Sequence, residues 1–310
     1  MTSSLQLSLS LPTFSVGEAG DWMSLKLLAR AADKAGIDRL VMSDHVAFGE
    51  NLDAYADPRN GGSLGQKQPT GPDGSWLDPL ATIAHLTAIT SRVRFATNIL
   101  IAALRRPAVL AKTAATIDVL SDGRLDLGVG VGWQREEYEA CGLSFDGRGE
   151  LLNETLEICQ LLWRERSASY SSHALSFASI HQMPKPMQPG GIPIWVSGTV
   201  NQRAMDRLAR FGSGWIPWGD DAVDTIAGIA RMRAAMVERD RNPDTLGVVA
   251  SIRPVFGDDR AIDLRATMNG VSDLRDAGVT DVRMAIRPPS NCNITEYLID
   301  LVAAFHASAA

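Results

Sequence analysis

The sequence of 310 residues has little cysteine and no long hydrophobic run. Its three cysteines, Cys141, Cys159 and Cys292, are far apart and form no CxxC pair. This argues against a disulfide framework or a cysteine metal site and favours a reducing compartment. No apolar run reaches the about 18 residues of a membrane helix, and residues 1–12 lack the basic and apolar regions of a secretory signal. We therefore expect a cytoplasmic protein that does not bind membranes.

Positive charge is also scarce, because 30 Lys and Arg stand against 36 Asp and Glu, for a net charge of −6. Sequence-independent binding of nucleic acid requires a basic surface, so we expect small molecules as partners and no nucleic acid. The histidines outside the motifs below have no metal-ligand spacing, and we predict no metal site. A hydrophobic content of 45% is typical of a folded chain, and we expect residues 1–310 to form a single domain.

Short β-rich runs alternate with longer runs of helical periodicity along the whole chain. This alternation favours an α/β fold with a parallel sheet, and eight repeats match a (β/α)₈ TIM barrel, with a doubly wound open sheet as the structural alternative. The predicted strands cover residues 5–11, 39–42, 93–99, 124–129, 194–196, 214–217, 246–255 and 282–286. The predicted helices cover residues 22–35, 78–90, 108–120, 149–163, 201–211, 222–239, 261–277 and 295–306.

Two segments, 43–77 and 166–193, are too long for ordinary connections and are rich in Gly, Pro, Ser and Asn. Inserted segments of this length are usually lids, binding loops or disordered chain. The first follows the second strand, so we expect it to rise from the carboxyl face of the barrel, where the active sites of such barrels form.

The triplet Ser43-Asp44-His45 directly follows the second strand. A histidine at this position is suited to proton transfer, because its ordinary pKa lies close to neutral pH and a nearby carboxylate can tune it. The alternative is a capping aspartate and a solvated histidine in a long loop.

Two small-residue motifs follow later strands. Alternate glycines at 128, 130 and 132 would let the backbone approach a flat ring or a phosphate, although they form no GxGxxG fingerprint and could simply allow close packing. Ser197-Gly198-Thr199 precedes a helix whose free amides could bind an anion, or Thr199 or Asn201 could simply cap that helix.

Further candidates lie near the strand ends. Arg106 could hold an anionic cofactor tail or form a surface ion pair. Tryptophans near strand ends could line a pocket, although Trp195 and Trp215 are better explained as core residues. We assign Trp76 and Trp218, together with Pro12, to the substrate pocket.

These segments, taken in order, resemble the luciferase-like monooxygenase superfamily, in particular its F420-dependent branch, over nearly the whole chain. The resemblance rests on LVMSDHV at 40–46, WLDPL at 76–80, RPAVLAK at 106–112 and above all IDVLSDGRLDLGVGVGW at 117–133. Glu137 and the segments 183–186, 193–199 and 214–215 add support.

The resemblance implies FMN or the deazaflavin F420, with its ring in the mouth of a bacterial luciferase-like barrel. It implies that His45 moves a proton beside the ring while Asp44 orients it, and that a non-prolyl cis peptide joins Asn98 and Ile99. The cofactor residues that it implies, with Arg106 added from the rim, are Asn98, Ile99, Gly130, Gly132, Trp133, Glu137, Ser197, Gly198 and Thr199.

Two departures from the family pattern bear on phosphate binding and on the substrate. Many relatives have Gly-Gly where this chain has Gly198-Thr199, which still permits phosphate binding but removes some backbone freedom. The sugar dehydrogenases of the F420 branch have a glutamate where this chain has Trp133. We therefore expect an apolar substrate rather than a sugar phosphate.

Three functions remain open at this point. The leading hypothesis is an F420-dependent oxidoreductase that transfers a hydride between C5 of the deazaflavin and a small, fairly apolar organic molecule. The alternatives are an FMN-dependent monooxygenase that uses reduced flavin and O₂, and a barrel that binds flavin without catalysis. An unrelated phosphate-binding aldolase or isomerase would need an inward lysine, which no predicted strand supplies. A homodimer is expected, as is a reductase that supplies reduced cofactor.

Overall fold

The computed structural model describes residues 5–15, 22–60, 62, 66–258, 261–286, 288 and 292–309. Eight parallel strands close into a barrel, in which each strand pairs with the next along the chain and the last pairs with the first. The TIM-barrel prediction is therefore confirmed. The strands are β1 (Gln6–Ser10), β2 (Arg39–Met42), β3 (Arg94–Thr97), β4 (Leu125–Val129), β5 (Ile194–Gly198), β6 (Gly214–Pro217), β7 (Gly247–Ser251) and β8 (Asp281–Ala285).

The helices lie outside the barrel and bury the apolar side chains that alternate along the strands. In β1, for example, Leu7 and Leu9 are buried in a hydrophobic core to which side chains of the helices also belong. The helices are α1 (Trp22–Ala35), α2 (Pro79–Thr87), α3 (Pro107–Leu120), α4 (Arg135–Ala140), α5 (Arg148–Arg164), α6 (Gln202–Phe211), α7 (Asp220–Val223), α8 (Thr225–Val237), α9 (Leu264–Thr267), α10 (Val271–Asp276) and α11 (Ile294–Ala309).

The lower end of the barrel, at the amino ends of the strands, is filled by side chains. Arg39 on β2 donates to Asp126 on β4 and to Asp281 on β8, and it lies over the ring of Trp195 at 5.2 Å. These bonds join strands that are not neighbours, so they cross the interior. A Cβ on Gly214 would lie 2.3 Å from the indole of Trp195, which is why the adjacent strand begins with glycine.

Several predicted elements are shorter than expected or divided. The helix predicted at 222–239 is divided into α7 and α8, because the Asp224 side chain accepts from the amide of Ala227 and starts a new helix. The helix predicted at 261–277 is divided into α9 and α10 at Gly270, which has a φ of 87°. The strand predicted at 93–99 ends at Thr97, and the strand predicted at 246–255 ends at Ser251. Helix α4 was not predicted.

The two long segments have different places in the fold. Segment 43–77 follows β2 at the carboxyl face, and its short strand Ser75–Trp76 pairs antiparallel with Phe14–Ser15. Segment 166–193 contains an antiparallel hairpin of Ala168–Ser171 and Ser176–Ile180. The hairpin contacts α5, where the hydroxyl of Tyr170 donates to Glu157 at 3.4 Å, and the following residues contact α3, where Gln182 Nε2 donates to the carbonyl of Ala108 at 2.9 Å. Disordered chain at 166–193 is therefore ruled out, and no residue of this segment lines the cavity described below.

Candidate active site

A cavity of about 790 Å³ opens at the carboxyl ends of the strands. The loops after β2, β3, β4, β5 and β6 all contribute to its wall, and the loop after β2 is the long segment 43–77. The beginning of α5 also contributes. The loops after strands two to five thus converge on one recess of a size that is typical of a cofactor and substrate site.

Aromatic side chains surround His45 at one end of the cavity, which we call the aromatic end. The ring centroids of Phe48, Trp76 and Trp133 lie 4.3, 4.8 and 5.8 Å from that of His45. Phe14 stacks on Trp76 at 4.6 Å. A small apolar molecule that enters this end would contact aromatic surface and one ionisable ring.

The carboxylate beside His45 belongs to Glu137, in the first turn of α4. Glu137 Oε2 lies 3.3 Å from Nδ1 of His45, and Oε1 accepts from the amide of Val46 at 2.6 Å. Glu137 is 1% exposed, so it is a buried anion at a helix amino terminus, where the helix dipole favours negative charge. It contacts His45 and is not among the residues that line the cavity, and its role at the cofactor stays a prediction.

Asp44 also has a different role from the one expected. Its side chain accepts from both terminal nitrogens of Arg105, at 2.6 and 2.9 Å, and from the amide of Ile101 at 2.9 Å. Arg105 donates in addition to Asp78. Burial alone would lower the pKa of Arg105, but the bonds to the two aspartates raise it above its ordinary value. Asp44 therefore fixes the loops after β2 and β3, and Glu137 takes the place beside His45.

The floor of the cavity is formed by the loops after β3 and β4. The peptide bond between Asn98 and Ile99 is cis, which confirms that expectation. A Cβ on Gly130 would lie 3.0 Å from the side chain of Ile99, and Gly132 has a φ of 69°. At Gly128 a Cβ would lie 2.0 Å from the carbonyl oxygen of Thr97, so this glycine serves close packing, whereas Gly130 and Gly132 line the cavity.

Another part of the cavity wall, which we call the cationic end, contains the amino terminus of α5. Gly147 precedes this helix with a φ of 81°, and no side chain caps it. Gly147, Arg148, Gly149 and Glu150 all line the cavity. The first amides of a helix have no acceptor within the helix, so this terminus can bind an anion.

Two guanidinium groups flank that helix terminus. Arg207 donates to the side chain of Asn153 at 2.7 Å and to the carbonyl of Gly149 at 2.9 Å. Arg148 donates to the carbonyl of Asn60 at 3.1 Å. All of these acceptors are neutral, and within the described residues neither arginine forms an ion pair with a carboxylate. Burial lowers the pKa of both groups, and an anionic ligand would compensate their charge.

The Ser197-Gly198-Thr199 motif also lines the cavity. Helix α6 is capped by Asn201, whose side chain accepts from the amide of Ala204 at 3.0 Å. The capping explanation thus applies to Asn201, which also donates to the hydroxyl of Thr199 at 2.9 Å.

The model of the luciferase-like monooxygenase family matches residues 6–278. The chain belongs to this family. It is a luciferase-like oxidoreductase, and the resemblance inferred from the sequence is confirmed.

The proteins that are similar to this luciferase-like enzyme include two described as F420-dependent and a monooxygenase. An uncharacterized protein of Mycobacterium tuberculosis is 30% identical over 271 residues, 84% of each chain. The F420-dependent hydroxymycolic acid dehydrogenase of the same species is 28% identical over 236 residues, 75% of this chain and 59% of the relative. An F420-dependent secondary alcohol dehydrogenase in complex with an F420-acetone adduct matches with a TM-score of 0.74 at 16% identity, over 97% and 99% of the two chains. A long-chain alkane monooxygenase matches with a TM-score of 0.73 at 16% identity, over 99% and 92%.

Most residues expected at the site of the luciferase-like enzyme line the cavity, including Trp76, Trp133 and Trp218. Pro12 does not, and Phe14, two residues further along, takes its place. Arg106 is exposed at the start of α3, outside the cavity lining. Its neighbour Arg105 is the arginine that points inward, to Asp44.

The residues of the cavity wall that sequence reasoning missed include Tyr55, Arg148, Arg203 and Arg207. The sequence could have identified two of them. Arg203 and Arg207 are four residues apart at the beginning of a predicted helix and therefore share a helix face. The proximity of Arg148 to that face depends on how α5 packs on α6. Among the described residues, no cluster suited to a metal ion is found, and no helix is long and apolar enough to cross a membrane.

Proposed function

We propose that the chain is an F420-dependent oxidoreductase that transfers a hydride between C5 of the deazaflavin and a small, apolar organic substrate. One observation carries the proposal. The lining of a single cavity contains an ionisable histidine within aromatic walls and, in another part, the half-buried Arg148 and the buried Arg207, which form no ion pair with a carboxylate of the described residues. A cofactor with a flat ring and an anionic tail matches this polarity.

The residues present fit such a cofactor. Gly130 and Ile99 would lie under the ring, because the glycine has no Cβ where the isoleucine side chain packs. The first amides of α5, with Arg148 and Arg207, would bind the phosphate. Arg203, exposed at the same end, would meet the tail beyond it. When bound, the cofactor supplies the hydride donor or acceptor, and the protein positions the reactants and excludes water.

In this proposal His45 handles the proton. During oxidation of an alcohol, Nε2 of His45 would accept the proton of the hydroxyl, and the bound cofactor would supply the acceptor for the hydride of the carbon. In the reverse direction the protonated ring returns that proton to the oxygen of a ketone. The aromatic walls exclude water and favour an apolar substrate.

The choice of F420 is supported by three matched proteins that are described as F420-dependent: the two dehydrogenases above and a tetrahydromethanopterin reductase. FMN is the alternative, because the matches also include a riboflavin lyase with modified FMN and two monooxygenases. A homodimer and a reductase that supplies reduced cofactor stay predictions for the same enzyme.

Titration of the purified protein with F420 and with FMN, followed by fluorescence quenching, tests the cofactor. We expect tighter binding of F420 and reversible turnover of secondary alcohols, ketones or enones by the loaded protein. His45→Asn should lower turnover ~10²–10⁴-fold with little change in cofactor affinity. Tighter binding of FMN with substrate oxygenation from reduced flavin and O₂ would overturn the proposal in favour of a monooxygenase. Binding without any redox change would leave a cofactor-binding barrel.

A further inference from the structure

We infer that Glu137 is a positioning residue that fixes the tautomer of His45, so that Nε2 faces the cavity without a proton. The inference rests on the proposed function for the use of that nitrogen. Its structural part, the tautomer, can be measured without cofactor or substrate.

The hydrogen bonds of Glu137 set the direction of the proton. Oε1 accepts from the amides of Val46 and Ala47, at 2.6 and 3.5 Å. Both of those partners are donors, and an ionised carboxylate has only acceptor positions. Oε2 lies 3.3 Å from Nδ1 of His45, so Nδ1 carries the proton of a neutral ring. The other ring nitrogen is then an acceptor.

The surroundings keep the ring in this orientation. Phe48 and Trp76 pack against it at 4.3 and 4.8 Å between centroids, at angles of 39° and 85°. Within the part of the chain that the structure describes, His45 is the basic side chain in ion-pair distance of Glu137. The nearby cation Arg105 is bound to Asp44 and Asp78. The carboxylate therefore acts on His45 and on the loop amides.

A purely structural role is the competing explanation, because Glu137 also anchors the loop after β2. The chain offers a matched control for that role in Gln134. Its side chain accepts from the amide of Gly49 at 3.1 Å and donates to the carbonyl of Gly49 at 3.2 Å. Gln134→Ala removes a loop anchor of the same kind and leaves the contact between Glu137 and His45 intact.

Glu137→Gln separates the two roles. The amide of Val46 requires an acceptor, so the new carbonyl oxygen should face it and the new NH₂ group should face Nδ1 of His45. Nδ1 must then accept, and the proton moves to Nε2. We expect kcat to fall ~10²–10⁴-fold with little change in KM or melting temperature. Gln134→Ala should lower the melting temperature and reduce kcat less than about tenfold, because it does not alter the ring.

The direct readout is ¹⁵N NMR of protein labelled at its five histidines, with and without F420, with the His45 signal assigned by its loss in His45→Asn. The wild-type ring should carry its proton on Nδ1 when neutral, and the Glu137→Gln ring on Nε2. The same tautomer in both proteins, a wild-type proton on Nε2, or equal losses of kcat in Glu137→Gln and Gln134→Ala would each overturn the inference. A failed F420 titration would instead overturn the proposed function and leave the tautomer result intact.

Discussion

Replacing Asp44 by asparagine should destabilise the fold, because it removes the charge from a buried ion pair. The Asp44 side chain is 0% exposed and the Arg105 side chain is 16% exposed. Asparagine keeps one acceptor oxygen, but its NH₂ group would face one of the three donors that Asp44 now satisfies. Arg105 would be left with Asp78 as its carboxylate partner.

The size of the effect follows from that geometry. Removal of one partner from a buried ion pair costs about 3–5 kcal/mol. Arg105 keeps a bond of 2.8 Å to Asp78 and some contact with solvent, so we expect the lower end, about 3 kcal/mol. For a chain of 310 residues, with an unfolding entropy of about 2.1 cal/mol/K per residue, this lowers Tm by about 5 °C.

Calorimetry of four proteins measures this loss of stability: wild type, Asp44→Asn, Arg105→Met and the double variant. The double variant should lose less than the two single losses combined, by at least about 1 kcal/mol, because the two sites interact directly. Asp57→Asn is the control, since Asp57 pairs with Arg59 at 2.8 Å on the surface and its loss should hardly change Tm. An unchanged Tm in Asp44→Asn, or an equal drop in Asp57→Asn, would show that the buried pair does not stabilise the fold.

Three further changes test other parts of the structure. Arg207→Gln should weaken binding of the phosphate-bearing cofactor ~10–100-fold in a fluorescence titration but leave its dephosphorylated form unaffected; equal losses for both forms would contradict a phosphate contact. Burial and Arg39 lower the pKa of Arg283 to about 9, so the folded form bears an unfavourable buried charge below that pH and loses it as the pH rises through about 9. Arg283→Met should therefore raise the denaturation midpoint at pH 7, with a smaller gain near pH 10, and a loss at pH 7 would refute this. Burial raises the pKa of the Cys159 thiol, so mass spectrometry after iodoacetamide treatment should find it unlabelled until the protein unfolds, and rapid labelling of the native protein would contradict its burial.

The barrel could be predicted from the sequence because its strands are short apolar runs that alternate regularly with helical runs. The strand at Gly214–Pro217, for example, agrees with the prediction at both ends. The divisions at Asp224 and Gly270 were missed because an aspartate or a glycine within an apolar helical pattern does not always interrupt a helix. The hairpin of Ala168–Ser171 and Ser176–Ile180 was missed because its two strands are short and expose most of their residues, as loops do.

The site could be predicted where function follows a strand end, as for His45 and Gly130. The partner of His45 could not be found in this way. Asp44 is its neighbour in sequence, yet Glu137 contacts it across 92 positions, and that contact depends on where the short helix α4 lies. The cationic end was missed for a similar reason, since Arg148 and Arg207 meet through the packing of α5 on α6.

The indole of Trp195 and the ion pairs around Arg39 seal the amino ends of the strands, and this affects the order of events in a catalytic cycle. Because the barrel is closed at its amino end, a cofactor and a substrate would both enter the cavity from the carboxyl end. If the two ligands overlap along that entrance, the one that binds deeper must enter first and leave last. Steady-state kinetics with a fixed sequence of arrival is therefore expected, whichever molecule proves to be the substrate.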